Sequence, residues 1–365
     1  MNNLIKNIFS SIDHLWIKRR RKVDTMTIVS AVHQSAISHR GLNHILTVND
    51  VQLSAAALCK ARQKLPEGCF KKALCDVAHV NECGRIFAVD GSKVHLPASF
   101  INKGFTTRTN NQKASRPAKR PLAMLSSIVD VRSSVCVDYT VTSHFNERKA
   151  FRKIIDNNTN HLKAGDTFVF DRGYFSAEMV TLLNSQQMDF IFRLKRDAFT
   201  GVKAFFNSSK HYCRTKIRDI PVALVKYMVD GKKFVCLTST NVSPSIVKDT
   251  YKKRWRVEEH FKRLKSYLGL ERVVSVTPRI YLQDVEIRIF LDWISLQCKK
   301  FSSLKKSQIV VLDKLPALLD WTLSAKVNKD KKCSKCPNCT IVVFYHCSLT
   351  THLENIFSSF FTSVI

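Results

Sequence analysis

Three carboxylates stand where the chemistry of a phosphate ester would need them. Asp90 closes the apolar run Ile86-Phe-Ala-Val-Asp90, and Asp171 closes Thr167-Phe-Val-Phe-Asp171. A glycine follows at once in the first case (Gly91) and after one residue in the second (Gly173). Glu258 lies in 251-YKKRWRVEEHFKRLKS-266, where seven of sixteen residues are Lys or Arg. Two carboxylates at the tips of neighbouring strands can converge on a hard cation, which takes carboxylate, phosphate and water oxygens. Two such ions about 3.5–4 Å apart clamp the attacking and leaving oxygens of an in-line phosphoryl displacement. The plainer alternative is that an Asp at a strand end only caps a turn. Asp130, which closes Ser-Ser-Ile-Val-Asp130 with no glycine beside it, fits that alternative.

The basic run reads as a helix. At about 100° per residue, Val257, Phe261, Leu264 and Leu268 form one apolar stripe that must face a core. Glu258 falls a quarter-turn from the stripe, and Glu259 falls nearly opposite it, toward solvent. Tyr251, Arg254 and Lys265 line up with Glu258 by their i−7, i−4 and i+7 spacing. An acid flanked by Arg and Lys stays ionised at neutral pH, which suits a metal ligand beside a phosphate-binding edge. An ordinary Arg–Glu pair on a solvated helix, contributing about 0.2–0.5 kcal/mol, has the same spacing.

These residues need a frame. Residues 1–84 read as helices. The segment Leu53–Leu65 has an N-cap at Ser54 and ends at Pro66-Glu-Gly68, and a second helix covers Phe70–Val80. Such a pair suits a helix-turn-helix presenting Lys60, Arg62 and Lys64 to DNA, or else a small bundle with a solvated basic face. From residue 85 the texture turns to strands at 86–90, 123–130 and 135–141, which read as neighbours in a meander. A basic loop over 99–121, with Arg108, Lys113, Arg116, Lys119 and Arg120, separates the first two. A helix over 147–157 is capped by Asn146, and Glu147 is favourable in its first turn. A strand at 167–170, a helix from Ser176 to Met188 and a strand at 190–195 follow. Arg193 and Lys195 share one face of that strand, either as edge charges or meeting a phosphate backbone. Short β-like pieces fill 196–243, one long helix spans Pro244–Leu270, and another spans Leu282–Cys298. The order predicts a mixed α/β sheet.

Composition narrows the partners. The 365 residues carry 59 Lys+Arg against 29 Asp+Glu, a net charge of +30. That excess attracts polyanions, with nucleic acid ahead of an acidic membrane surface. No apolar run reaches the roughly 20 residues that span a bilayer, and the N-terminal segment, with Asp13 in it, does not read as a signal peptide. Twelve cysteines, several inside apolar runs (Cys59, Cys75, Cys136, Cys236, Cys298), suit reduced thiols in a cytoplasmic, nucleoid-associated protein. In the tail, Cys333, Cys336, Cys339, His346 and Cys347 are ligand types for Zn²⁺, but the second Cys-x2-Cys knuckle of a zinc ribbon is missing, so no zinc site is expected.

The spacing Tyr251-x2-Arg254-x3-Glu258-x6-Lys265, downstream of VDGSKVHLP and FDRGY, resembles the signature of bacterial insertion-sequence transposases with a D-D-E triad. The resemblance covers about residues 50–300. It implies a ribonuclease-H-like catalytic domain over 85–300 with a β insertion at about 196–243. A helical DNA-binding domain over 1–84 and a helical C-terminal tail over 301–365 would flank it. Asp90, Asp171 and Glu258 would be the catalytic, metal-binding triad, taking two Mg²⁺ or Mn²⁺ ions. Tyr251, Arg254 and Lys265 would contact terminal phosphates. The implied partners are terminal inverted repeats and target DNA, gripped by a homodimer. The implied reaction is nicking with water followed by attack of the freed 3′-OH on target DNA, through a hairpin in some members. One departure stands out: the stretch 196–243 has no Trp to hold a flipped base, and Phe205, Phe206, Tyr212 or Tyr227 would have to stand in. An inactive DNA-binding protein or transposition repressor, and a metal-dependent nuclease without strand transfer, remain the alternatives.

Overall fold

A computed structural model describes residues 2–17, 23–78, 84–105, 120–157, 161–273 and 275–301. The basic run Lys18–Lys22, most of the loop with Arg108, Lys113, Arg116 and Lys119, and the cysteine-bearing tail lie outside the described residues. Five helices come first: α1 (Asn2–Trp16), α2 (Thr25–Ser38), α3 (Leu42–Val48), α4 (Ala55–Arg62) and α5 (Cys69–Ala78). Side-chain caps mark their starts: Asp24 accepts from the Thr27 amide at α2, and Ser54 accepts from the Ala57 amide at α4. Asp13 accepts from the Thr25 amide and hydroxyl, and Trp16 donates to the Thr25 hydroxyl, so α1 is tied to α2.

The sheet elements are β1 (Ile86–His95), β2 (Leu122–Asp130) and β3 (Cys136–Thr142), then α6 (Glu147–Asp156), β4 (Thr167–Phe170), α7 (Ala177–Ser185), β5 (Asp189–Arg193) and α8 (Thr200–Asn207). The strands β6 (Tyr212–Ile217), β7 (Ile220–Val229) and β8 (Lys232–Thr238) follow, then α9 (Pro244–Lys252), α10 (Trp255–Lys262), a π-helical turn at Arg263–Tyr267 and α11 (Pro278–Phe301). All eight strands form one sheet in the order β3-β2-β1-β4-β5-β8-β7-β6. β4 runs parallel to β1 and β5, and the other pairs are antiparallel. The stretch 196–243 therefore contains a helix as well as strands, and its strands extend the main sheet through β8 beside β5.

Side-chain alternation along β1 divides the core. Ala88 joins a cluster with Val257, Phe261 and Leu264 and with the N-terminal helices and α11. Phe87 and Val89 face the other way, onto a cluster with Phe151 of α6, Val180 of α7 and Phe168, Phe170, Phe190 and Phe192 of the central strands. Asp90 shares the parity of Ala88 and points toward α10, while Gly91 faces α6. The N-terminal helices thus share a core with the α10 side of the sheet, although the texture of the chain changes at residue 84.

Three sequence expectations are corrected. β1 does not end at Asp90. It runs through Gly91 to His95, because residues 90–95 continue to pair with Leu122–Ser127 of β2. The helix expected over Pro244–Leu270 is broken at Lys253 and Arg254 and ends in the π turn, although its stripe of Val257, Phe261, Leu264 and Leu268 is buried throughout. Cys59, expected in an apolar setting, is exposed.

Buried charges lock α11 to what it touches. Arg62 of α4, 1% exposed, pairs with Asp284 and donates to Gln283 Oε1 at 3.0 Å. Asp292 accepts from His260 Nδ1 at 2.8 Å and Arg263 Nε at 2.6 Å, which fixes α10 and the π turn. No helix among the described residues is long and apolar enough to cross a membrane.

Candidate active site

Each of the three acids is delivered by a different element. Asp90 lies mid-strand in β1 and accepts from the Gly91 amide at 2.8 Å. Asp171 is the first residue beyond β4. Glu258 stands in the first turn of α10, which the buried pair of His260 with Asp292 ties to α11.

The break at Arg254 matters here. Its guanidinium reaches Asp90 through Nη1 at 3.3 Å and pairs with Glu258 through Nη2. Tyr251, on the last turn of α9, donates its hydroxyl to Asp171 at 3.3 Å. So the structure brings Asp90, Asp171, Glu258, Tyr251 and Arg254 together beside the middle of β1 and the end of β4, with Arg254 joining Asp90 to Glu258 and Tyr251 meeting Asp171. Lys265 is placed further along, donating to the Lys93 carbonyl at 2.6 Å with Glu271 at 3.6 Å. Glu259 points away and pairs with Arg256 at 2.9 Å. Asp130 accepts from the amides of Arg132 and Ser133, which is the turn-capping role.

The centre is crowded with negative charge. Burial pushes the Asp90 carboxyl up, and the charges of Asp171 and Glu258 push the same way against the Gly91 amide and Arg254. Among the described residues, no three acidic, His or Cys side chains stand close enough to hold an ion as they are. The physical reason is local: Arg254 sits between Asp90 and Glu258 and supplies the counter-charge. The donor chemistry still fits a hard cation. All three acids offer only oxygen. The fully buried Tyr174 hydroxyl, in the field of Glu147 and Asp90, makes no hydrogen bond of normal geometry. Arg254 Nε is likewise buried without an acceptor.

Two cavities lie on neighbouring elements, and none of the three acids lines either. One of about 740 Å³ is lined by Tyr251, Lys252, Arg254, Trp255, Arg256 and Glu259, and Trp255 is 61% exposed there. The other, about 340 Å³, is lined by Arg172, Arg193, Lys195, Arg196, Lys233, Phe206 and Phe234, with Asp197 as the acid among them. Arg193 stacks on Phe234 at 4.7 Å and Arg196 on Phe206 at 5.2 Å. Arg193 and Lys195 are thus both at this rim. Of the α4 residues expected to face DNA, Lys60 and Lys64 are exposed. Arg62 is not: its guanidinium is spent on Asp284 inside the core, so it is removed from the DNA-contact set.

Sequence reasoning missed two residues. Trp255 lies outside the stretch 196–243, and no local pattern marks it as exposed. Glu147 was read as a favourable first-turn acid; it lies against Gly91 and Gly173. The shared glycine after both Asp residues was the available signal.

An α/β sheet with acids from a central strand, from the end of its parallel neighbour and from a helix packed on it defines a protein built around an acidic centre. Residues 81–283, more than half of the chain, match the family described as transposase DDE domain, and the chain belongs to that family. No curated protein sequence matches it significantly. Among solved structures, the chain is similar to a piggyBac transposase synaptic complex with hairpin DNA, determined by cryo-EM. The identity is 10% and the TM-score 0.48, over 91% of this chain and 80% of that one.

Proposed function

We propose that this protein binds transposon ends and catalyses divalent-metal-dependent cleavage and strand transfer of DNA in cut-and-paste transposition. The observation that carries the reading is the meeting of Asp90, Asp171 and Glu258 around Tyr251 and Arg254, from three separate blocks of sequence. The order β3-β2-β1-β4-β5, three antiparallel strands followed by two parallel ones, supports the ribonuclease-H-like assignment. Asp90, Asp171 and Glu258 would hold Mg²⁺ or Mn²⁺, as a pair of ions. Bound there, the metal supplies charge neutralisation and a deprotonated nucleophile without a protein base.

The chain's own residues do the rest. Arg254 and Tyr251 present donors to a phosphate where the acids meet, and Lys265 extends that donor row along β1. Trp255, exposed beside Arg254, offers a face on which a base can stack. The cation-lined cavity beside Asp171 tracks the strand backbone, and Lys60 and Lys64 add non-specific phosphate contacts. The net charge of +30 suits residence on the nucleoid, and a homodimer would pair two ends.

The test uses full-length protein, DNA carrying the inverted repeats that flank the gene, and Mg²⁺ or Mn²⁺. Metal-dependent nicks at the repeat ends and joined products are expected. Nicks without joined ends would point to a nuclease, and binding without nicks to a repressor.

The cavity is tested separately. Replacing Arg193 and Lys233 together by Gln should lower the slope of log affinity against log salt by about 1 per cation removed. An unchanged slope takes this rim out of the DNA path.

A further inference from the structure

The two strand-borne acids share a neighbour on the opposite face of the sheet. Glu147 opens α6, and its side chain lies where a Cβ on either glycine would sit. A Cβ on Gly91 would fall 3.1 Å from Glu147 Cγ and 3.4 Å from Oε1, and one on Gly173 would fall 3.3 Å from Oε2. One carboxylate thus fills the space left by the glycine after Asp90 and by the glycine just past Asp171. In neither place does the glycine have a positive φ, so close approach is what the missing side chain allows.

The ordinary account of Glu147 is an acid in the first turn of a helix, attracted by the helix dipole. That account does not require the position found. The end of α6 is already capped by Asn146, which accepts from the Lys149 amide. An acid serving the helix alone would turn to water. Instead Glu147 is part-buried beside two other carboxylates, and among the described residues it makes no hydrogen bond or ion pair. Burial, then Asp90 and Asp171, push its carboxyl up to about 7 against the pull of Lys93.

We propose that Glu147 is a fourth carboxylate of the acidic centre, an oxygen donor that joins Asp90 and Asp171 in holding a divalent cation. This rests on the transposase reading above and deepens it. The centre then has donors from both faces of the sheet, Glu258 from the α10 side and Glu147 from the α6 side. The two glycines exist so that the second of these can reach the strand tips.

The test is Mn²⁺ binding by the full-length, DNA-free protein, followed by calorimetry or by the Mn²⁺ spin-resonance signal. Glu147→Gln should weaken Mn²⁺ binding by about tenfold or more, the scale of losing a group that supports a metal site. If Glu147→Gln binds Mn²⁺ within about twofold of wild type while Asp90→Asn loses it, the proposal is wrong and the transposase reading stands. If wild type itself takes up no Mn²⁺, the metal reading of the whole centre falls with it. Should Glu147→Gln not fold, Gly91→Ala keeps every carboxylate and crowds Glu147 away. The same weakening is expected there, and unchanged affinity overturns the proposal.

Discussion

The Glu258→Gln protein should bind repeat-end DNA as tightly as wild type and cut it at least about a hundredfold more slowly. Losing a group that merely supports a metal ligand costs about 10–100-fold, and Glu258 is placed as a ligand itself. The substitution keeps the size of the side chain and the buried stripe of Val257, Phe261 and Leu264. It also removes the charge that Arg254 neutralises. Its neighbour is the internal control. Glu259 pairs with Arg256 on a partly exposed flank, an interaction of about 0.2–0.5 kcal/mol, so Glu259→Gln should cut within about twofold of wild type. The two variants differ by one residue in position and by about 100° around the helix. Equal loss in both would mean that charge on this helix matters and its direction does not. The placement of Glu258 in the centre would then be untenable.

How much of this was legible beforehand follows the range of the interactions. β4 is found at Thr167–Phe170 as expected, and α6 begins at Glu147 behind its Asn146 cap, because alternation and caps are local. The apolar stripe of α10 was readable for the same reason. Other features depend on partners far away in sequence. β1 continues past Asp90 because Gly91 pairs with Ser126, and nothing within residues 86–95 announces that. The break at Arg254 leaves the stripe in phase, so periodicity could not reveal it. Yet the break sets the residue whose guanidinium joins Asp90 to Glu258. Glu147 is the sharpest case. Its local role at a helix start is true, and its place between Gly91 and Gly173 exists only once β1, β4 and α6 are packed. Strand order across the whole sheet, with β8 inserted beside β5 ahead of β7 and β6, was equally beyond local pattern.

Arg62 tests the same distinction through stability. The sequence reading grouped it with Lys60 and Lys64 as facing DNA, although i+2 spacing turns it about 200° from Lys60, and its burial against Asp284 of α11 depends on a partner some 220 residues away. Arg62 also donates from Nε to Gln283 Oε1 at 3.0 Å and from Nη2 to the Ile280 carbonyl at 3.3 Å, so Nε and Nη2 both have acceptors. Arg62→Ala leaves Asp284 buried and short of its partner. The expected cost is about 3–5 kcal/mol, or a fall in Tm on the order of 10 °C. Removing both charges together, as in Arg62→Met with Asp284→Leu, should recover much of that loss, because the penalty comes from the unpaired charge and not from the missing pair. Lys60→Ala and Lys64→Ala should melt within about 0.5 kcal/mol of wild type and weaken DNA binding in a salt-dependent way. Thermal melts and salt titrations of the three single variants decide the matter. Were Arg62→Ala to melt like wild type and lose DNA affinity like Lys60→Ala, α4 would have to be turned about its axis. The contact that ties the N-terminal helices to α11, and through Asp292 to the helix carrying Glu258, would then need another source.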